Sequence, residues 1–163
     1  GFGGFMSEEI SQNLVFKFNL YAAAGETKPE YEAQTIYGDW IVPNKINRLY
    51  KFPMMFGVDY SVFTETLSES LRPYISGGLG PTFILQAPYE REFFNSLHYA
   101  TWHVRMGGYV GAGVNFGSGK TIMTISARYM VVPFGKKGLE SIKGDPIKDF
   151  GGLFIDFSLG GRY

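Results

Sequence analysis

The sequence predicts an all-β protein, a single antiparallel up-and-down transmembrane β-barrel that spans residues 1–163. Three observations support this prediction. Apolar and polar residues alternate with a period of two along most of the chain, as in strands whose two faces meet different surroundings. Aromatic residues make up 17% of the chain and glycines number 22, which fits a barrel with aromatic girdles. No apolar run approaches the roughly 20 residues of a transmembrane helix.

The alternation divides the chain into seven predicted strands. They cover residues 1–6, 13–24, 48–63, 71–86, 101–116, 121–132 and 150–163. The first is the tail of a strand, and the others reach the roughly 9–11 residues that a tilted strand needs to cross a bilayer. Tyr50 and Tyr60 lie on the mostly apolar face of the third segment, which favours apolar side chains outside and polar ones inside. Glycines on the opposite face fit a crowded, narrow interior. They include Gly57, Gly107, Gly111 and Gly113.

The connections between these strands alternate in length. Short turns are predicted at residues 7–12, 65–70 and 117–120, and long loops at residues 25–45, 87–100 and 134–149. Outer-membrane barrels have short turns on the periplasmic side and long loops outside, normally with an even number of strands. We therefore expect an eight-stranded barrel. Its first strand is missing from the given chain, or a partner or a loop takes its place.

Charged and titratable residues recur on the predicted inner face. They are Lys17, Lys51, Asp59, His103, Arg105, Arg128, Asp156 and Arg162. An eight-stranded barrel is only wide enough for side chains, and buried charges need partners. We interpret the set as a paired polar plug in the lumen. A polar pathway or a ligand site is the alternative.

Three segments resemble a known family. They are the Leu-Arg-Pro-Tyr-Ile-Ser-Gly-Gly-Leu-Gly-Pro of residues 71–81, the Lys-Phe-Pro-Met-Met-Phe-Gly of residues 51–57 and the closing strand at residues 152–163. The chain is similar to the small OmpA-like, outer-membrane-protein β-barrel-domain family of Bacteroidota type. The resemblance implies the outer membrane of a Gram-negative bacterium, with its lipid and lipopolysaccharide, and carries no catalytic residues. It also implies that Phe157, Leu159 and the terminal Tyr163 belong to a C-terminal insertion signal.

Motifs for other chemistry are weak. The run Gly119-Lys120-Thr121 lacks the earlier glycine of a phosphate-binding loop, since Val114 stands there, and a strand follows it. Ser96 and His98 could belong to a lipid-modifying hydrolase, but solvated loop residues explain them more simply. We expect no metal, because two histidines without thiols form no recognised ligand spacing, and no cofactor. Zero net charge gives no reason to expect a nucleic-acid partner.

Two long loops carry the remaining candidates. The loop at residues 25–45 is unusually apolar, and it either folds over the barrel mouth as its own hairpin or docks a partner protein. Its candidate contact residues are Tyr31, Tyr37, Trp40 and Ile41. The loop at residues 134–149 carries four lysines that are either solvated or contact lipopolysaccharide phosphates. These lysines are Lys136, Lys137, Lys143 and Lys148.

The sequence therefore predicts a non-enzymatic outer-membrane β-barrel, a structural or accessory subunit of a membrane complex that binds partner protein through its loops or its wall. A soluble, lipocalin-like ligand-binding barrel is the first alternative, and it requires the apolar face to point inward. An outer-membrane lipid-modifying enzyme is the second, and it requires a catalytic constellation that the sequence does not display.

Overall fold

A computed structural model of the chain describes residues 1–25, 33–34, 40–41, 45–62, 71–89, 95, 98–117 and 121–161. The strands are β1 (Phe2–Ser11), β2 (Leu14–Gly25), β3 (Ala33–Gln34), β4 (Trp40–Ile41), β5 (Asn47–Ser61), β6 (Leu71–Pro88), β7 (Thr101–Phe116), β8 (Thr121–Val131), β9 (Leu139–Ile142), β10 (Asp145–Ile147) and β11 (Gly152–Gly161). No helix long and apolar enough to span a membrane occurs in this part of the chain.

Seven strands form one antiparallel sheet in the order β1-β2-β5-β6-β7-β8-β11, and the sheet curls into a half-barrel. Each strand pairs with the next long strand along the chain, so the prediction of an all-β, up-and-down arrangement is confirmed. The predicted turn at residues 7–12 is wrong, because β1 runs on to Ser11. Its polar end stays in the sheet through the pairing of Ser7 with Lys17 and of Glu9 with Val15.

The two faces of the sheet differ in polarity. Along β8, burial alternates residue by residue, with Ser126 and Arg128 buried and Ile125 and Tyr129 exposed. The apolar side chains of β11 are strongly exposed on the outer face. Leu153, Ile155, Phe157 and Leu159 are 67–77% exposed. The predicted orientation, with the apolar face outside, is confirmed along β5, β8 and β11, whereas β1 is exposed on both faces.

Glycines make room for large rings on the inner face. Tyr109 of β7 lies over Gly78 of β6 and Gly57 of β5, which stand side by side in neighbouring strands. A Cβ atom on Gly57 would overlap the Tyr109 hydroxyl, and one on Gly78 would lie 2.6 Å from its ring. Tyr74 covers Gly113 in the same way, with its hydroxyl 2.5 Å from an added Cβ. The predicted role of interior glycines in a crowded barrel is confirmed.

The segment between β8 and β11 folds over one end of the barrel, which we call the loop end. Strands β9 and β10 form a hairpin whose turn contains Gly144, with a positive φ of 84°. The hairpin is fixed to β5, since the Asn47 side-chain amide donates to the Glu140 carbonyl at 2.7 Å. Buried apolar residues of this cap pack into the barrel mouth. They are Phe134, Leu139, Ile147 and Phe150.

The sequence predicts residues 134–149 only as a long loop, whereas the structure shows a hairpin and an apolar cluster there. The apolar residues of the cap point inward, and the four lysines remain exposed on its surface. In the loop at residues 25–45, a short hairpin forms where β3 pairs with β4. Gly25 ends β2 and Lys45 forms a bridge with Ile142, while residues 26–32, 35–39 and 42–44 lie outside the described part of the chain.

The sheet does not close on itself within the described strands. The outer edges of β1 and β11 carry no sheet partner, and no Cα atom of β1 lies within 8 Å of a Cα atom of β11. We call the gap between residues 1–9 of β1 and residues 154–161 of β11 the seam. It stands where the sequence predicts an additional strand.

Candidate functional site

The first part of the candidate site is a buried ion pair near the turn end of the barrel, opposite the cap. Lys17 Nζ lies 2.6 Å from Asp59 Oδ2, and both side chains are 6% exposed. Lys17 stands opposite Gly57 in the sheet, so its side chain has room to reach the carboxylate two residues further along β5. The ammonium also lies 5.0 Å from the centre of the Phe5 ring. Aromatic faces and a carboxylate together compensate the buried cation.

The second part is a network around Arg128, which crosses the interior from β8 to β2. Its guanidinium donates to the Tyr21 hydroxyl at 2.5 Å and to the Asn19 side-chain oxygen at 3.4 Å. Arg128 Nε lies 3.5 Å from Asp156 Oδ2, which also accepts a 2.6 Å hydrogen bond from Ser126. Because β2 and β8 lie on opposite sides of the seam, these bonds hold the two walls of the open barrel together.

Lys51 is the third buried cation, and its surroundings differ from those of Lys17 and Arg128. It is 7% exposed, and its Nζ approaches the Phe150 carbonyl at 3.5 Å and the Phe154 ring at 4.3 Å. The two ion pairs described in the interior do not include it. Asp149 acts on it electrostatically, but the Asp149 carboxylate accepts hydrogen bonds from the amides of Val132 and Gly151.

Two cavities open along the seam. The cavity near the cap has a volume of about 420 Å³ and is bounded by residues 1–5 of β1 and residues 154–158 of β11, with Lys51 and Arg128 on its inner wall. The cavity near the turn end has a volume of about 510 Å³, and Lys17 and Asp59 lie on its wall. Phe5 lines both cavities, which therefore lie one after the other along the edges of the two strands.

The structure brings together four of the eight residues predicted to form the lumen plug. Lys17 pairs with Asp59, and Arg128 pairs with Asp156. The other described members lie closer to the cap. They are Lys51, His103 and Arg105. The His103 ring forms a hydrogen bond of 3.1 Å with the Gln86 side chain. Arg105 is exposed, and its guanidinium lies 5.0 Å from the centre of the Phe134 ring. Arg162 lies outside the described residues.

The other predicted site residues fall on the outer face or outside the described chain. Phe157 and Leu159 of the predicted insertion signal point outward and are 77% and 73% exposed. Tyr163, Tyr31 and Tyr37 lie outside the described residues. Trp40 and Ile41 are described only by their backbone, which forms β4.

Sequence reasoning missed the uncharged members of the interior network. Asn19 and Tyr21 have the same strand parity as Lys17, and Ser126 has that of Arg128, so parity places all three on the inner face. They carry no charge, and their role depends on the hydrogen bonds they make with Arg128 and Asp156. Strand parity, together with the requirement that every buried cation has hydrogen-bond acceptors, would have identified these three residues.

Residues considered for catalysis or metal binding are not brought together in the part of the chain that the structure describes. His98 is exposed, and Ser96 lies outside that part. Among the described residues, no group of three or more His, Cys, Asp or Glu side chains could hold a metal ion. Comparisons with protein-family models, with curated proteins and with solved structures found no match.

Proposed function

We propose that this chain is a non-enzymatic β-barrel of a Gram-negative outer membrane and acts as a structural or accessory subunit that binds a partner protein. The proposal includes membership of the OmpA-like barrel group that the sequence resembles. Its support comes from the arrangement of apolar and polar side chains on the curled sheet, and one observation carries it.

That observation is the set of exposed apolar side chains on the outer face of all seven strands of the sheet. On β7 alone, exposed apolar side chains extend from Trp102, at 59%, to Val110, at 66%. Eight residues of strand cover about 27 Å, or about 20 Å along the membrane normal at a tilt of ~40°. A barrel in a bilayer needs an apolar band of about 25 Å. A water-soluble protein rarely exposes an apolar surface of this extent.

The interior supports a structural role over that of an open pore. Lys17, Asp59 and Arg128 are buried, and their charges form ion pairs between neighbouring strands inside the barrel. The apolar cap covers the loop end. This arrangement also opposes the lipocalin-like alternative, which needs an apolar interior and a polar exterior.

A partner role is supported by the seam and by the surface of the cap. Unpaired strand edges are templates for another strand, and proteins that work alone usually cover them. The exposed lysines on the cap would suit phosphate groups of lipopolysaccharide around the barrel. A lipid-modifying enzyme remains the alternative for the loops, and a His98→Ala variant assayed for lipid A modification tests it.

The test of the proposal is extraction of the full-length protein from its native membranes. We expect the protein only in the detergent fraction, with heat-modifiable mobility on gels and migration in a large complex by blue-native electrophoresis. A protein that is soluble without detergent would refute the membrane assignment. A lone monomer after mild extraction would refute the accessory role.

Trp102 offers an independent test of orientation. In a Trp40→Phe variant reconstituted into vesicles, lipids brominated on their acyl chains should quench Trp102 fluorescence strongly, because its side chain lies on the outer face. Fluorescence that is insensitive to brominated lipid would show that this face does not meet the bilayer.

A further inference from the structure

We propose that the seam binds one extended segment of a partner polypeptide, which runs antiparallel to both β1 and β11 and carries a carboxylate that meets Lys51. This inference rests on the proposed function and deepens it, because it names the place and the chemistry by which the barrel wall recognises its partner.

The width of the seam fits one strand. Neighbouring strands lie about 4.8 Å apart, so one inserted strand would separate β1 from β11 by about 10 Å. The Cα atoms of the two strands are everywhere more than 8 Å apart. The width of the gap also has an upper limit, because the Phe5 ring reaches across it and would lie 3.2 Å from a Cβ atom placed on Gly160.

The direction of the two edges selects the orientation of the occupant. Six antiparallel steps separate β1 from β11 in the sheet, so the two strands run in the same direction. Direct closure would require a parallel pair in a sheet whose other pairs are all antiparallel. A segment that runs the opposite way can form antiparallel ladders with both edges, from the turn end toward the cap.

Lys51 supplies a buried ammonium that has no carboxylate at ion-pair distance among the described residues, because Asp149 acts on it electrostatically only from a greater distance. Its ammonium is buried on the wall of the seam cavity near the cap, with a carbonyl at 3.5 Å and the Phe154 ring at 4.3 Å. A buried ammonium without a carboxylate is costly. A Glu or Asp side chain that enters from the seam would remove that cost.

Asp59 provides the complementary position at the other end. Its Oδ2 binds Lys17, but its buried Oδ1 has no hydrogen-bond partner among the described residues. The carboxylate lines the seam cavity near the turn end. A hydroxyl or an ammonium from the occupant can donate to this oxygen.

These constraints define the sequence of the occupant. Apolar side chains at alternate positions would continue the outer face between Met6 of β1 and Leu159 of β11, which are both 73% exposed. The inward positions would hold small residues, because Phe5 and Arg128 already occupy the space behind the seam. Because the segment runs toward the cap, its hydrogen-bond donor for Asp59 lies near its N-terminal end, and its carboxylate for Lys51 lies near its C-terminal end.

The test uses the full-length barrel refolded in detergent micelles and two fluorophore-labelled ten-residue peptides of alternating Leu and Ser. The matched peptide has Lys near its N-terminus and Glu near its C-terminus, and the control peptide has these two charges exchanged. We expect the matched peptide to bind and the exchanged peptide to bind about 30-fold more weakly, the factor for a lost buried charge pair.

Variants of the barrel test whether Lys51 causes the stronger binding of the matched peptide. Lys51→Met should reduce the discrimination to the part that the Asp59 end contributes, and Lys51→Glu should lower it further. Lys136→Met, which removes an exposed lysine of the cap, should leave it unchanged. Heat-modifiable gel mobility checks the folding of each variant, and Lys51→Met keeps the test decisive if Lys51→Glu fails to fold.

Three outcomes would overturn the inference. The first is binding of both peptides, or of neither, with no effect of Lys51→Met. The second is a spontaneous disulfide in a Phe5→Cys/Gly160→Cys variant without peptide, since the chain has no other cysteine and this bond would show a self-closed barrel. The third is a homodimer that the matched peptide does not displace, because a second copy would then fill the seam. Detergent dependence and heat-modifiability are unaffected by these outcomes, so the proposed function is judged separately.

Discussion

Breaking the ion pair between Lys17 and Asp59 tests whether the interior of the barrel is a dry, paired core. With 2.6 Å between Nζ and Oδ2, an effective dielectric constant of about 20 corresponds to an attraction of about 6 kcal/mol. Desolvation of the two charges offsets much of it. Lys17→Met leaves Asp59 alone in a buried site, so we expect a loss of unfolding free energy of about 3 kcal/mol.

The two single variants should differ in cost. Asp59→Leu leaves Lys17 beside the Phe5 and Tyr74 rings, at 5.0 and 5.3 Å from their centres. Aromatic faces partly compensate a desolvated cation, so this variant should cost about 2 kcal/mol. The double variant removes both charges and should cost about 1 kcal/mol or less, because apolar side chains of similar size replace a buried pair well.

The assay is urea unfolding of the refolded barrel in lipid vesicles, followed by heat-modifiable gel mobility. The double-mutant cycle should give a coupling energy of at least about 2 kcal/mol. Lys143→Met, at an exposed position of the cap, serves as the control for loss of one positive charge and should change stability by less than about 0.5 kcal/mol. Costs below about 0.5 kcal/mol for both single variants, without coupling, would show a solvated pair and refute the reasoning.

Three further predictions test the glycine contacts, the outer face and the cap by the same unfolding assay. Gly57→Ala should lower the unfolding free energy by about 1–3 kcal/mol, because the added Cβ overlaps the Tyr109 hydroxyl. Gly4→Ala should be nearly neutral, because an added Cβ there has no atom within 4 Å. Equal losses for the two variants would contradict the overlap. Met106→Arg, at the centre of the apolar band of β7, should lower the unfolding free energy by about 2–4 kcal/mol, and Ile10→Arg near the turn end by about 1 kcal/mol or less. Similar losses for both variants would argue against a membrane-embedded outer face. Phe150→Ala should cost about 3 kcal/mol, because its ring is 4% exposed and packs inside the cap; an unchanged midpoint would show that the cap does not stabilise the barrel.

The strands and their faces could be predicted from the sequence because apolar and polar residues alternate with period two wherever a strand has one apolar face. Residues 101–116 were predicted as a strand, and β7 covers Thr101–Phe116. The end of β1 was missed because Ser7, Glu8 and Glu9 have turn-like composition, and only their pairing with β2 keeps them in the sheet. Local propensity is a weak guide where a neighbouring strand supplies the hydrogen bonds.

The cap was missed for a different reason. Its turn glycines are visible in the sequence, but the burial of Leu139 and Ile147 depends on contact with residues of distant strands. Lysines dominate the local composition, so the segment resembles a solvated loop. Only the tertiary structure separates the inward apolar residues from the exposed lysines.

The interior pairs could be predicted in part. Strand parity gives the face of a residue, but not its depth in the barrel or its partner on another strand. Lys17 and Asp59 meet because β2 and β5 pair in one particular register, which the sequence pattern alone does not determine. Arg105 has inward parity and is nevertheless exposed near the cap, because β7 extends beyond the interior network.

The position of Tyr109 over two glycines helps to fix the register of the sheet. A slip of β7 by one residue would turn its apolar side chains inward, so hydrophobicity alone forbids that error. A slip by two residues preserves the faces, and hydrophobicity cannot detect it. After such a slip the ring would meet Ser76 or Gly80 on β6 in place of Gly78. Gly57 on β5 must also lie beneath the ring, so the Tyr109 side chain constrains the register of β5, β6 and β7. An alanine at position 57 would remove part of that constraint.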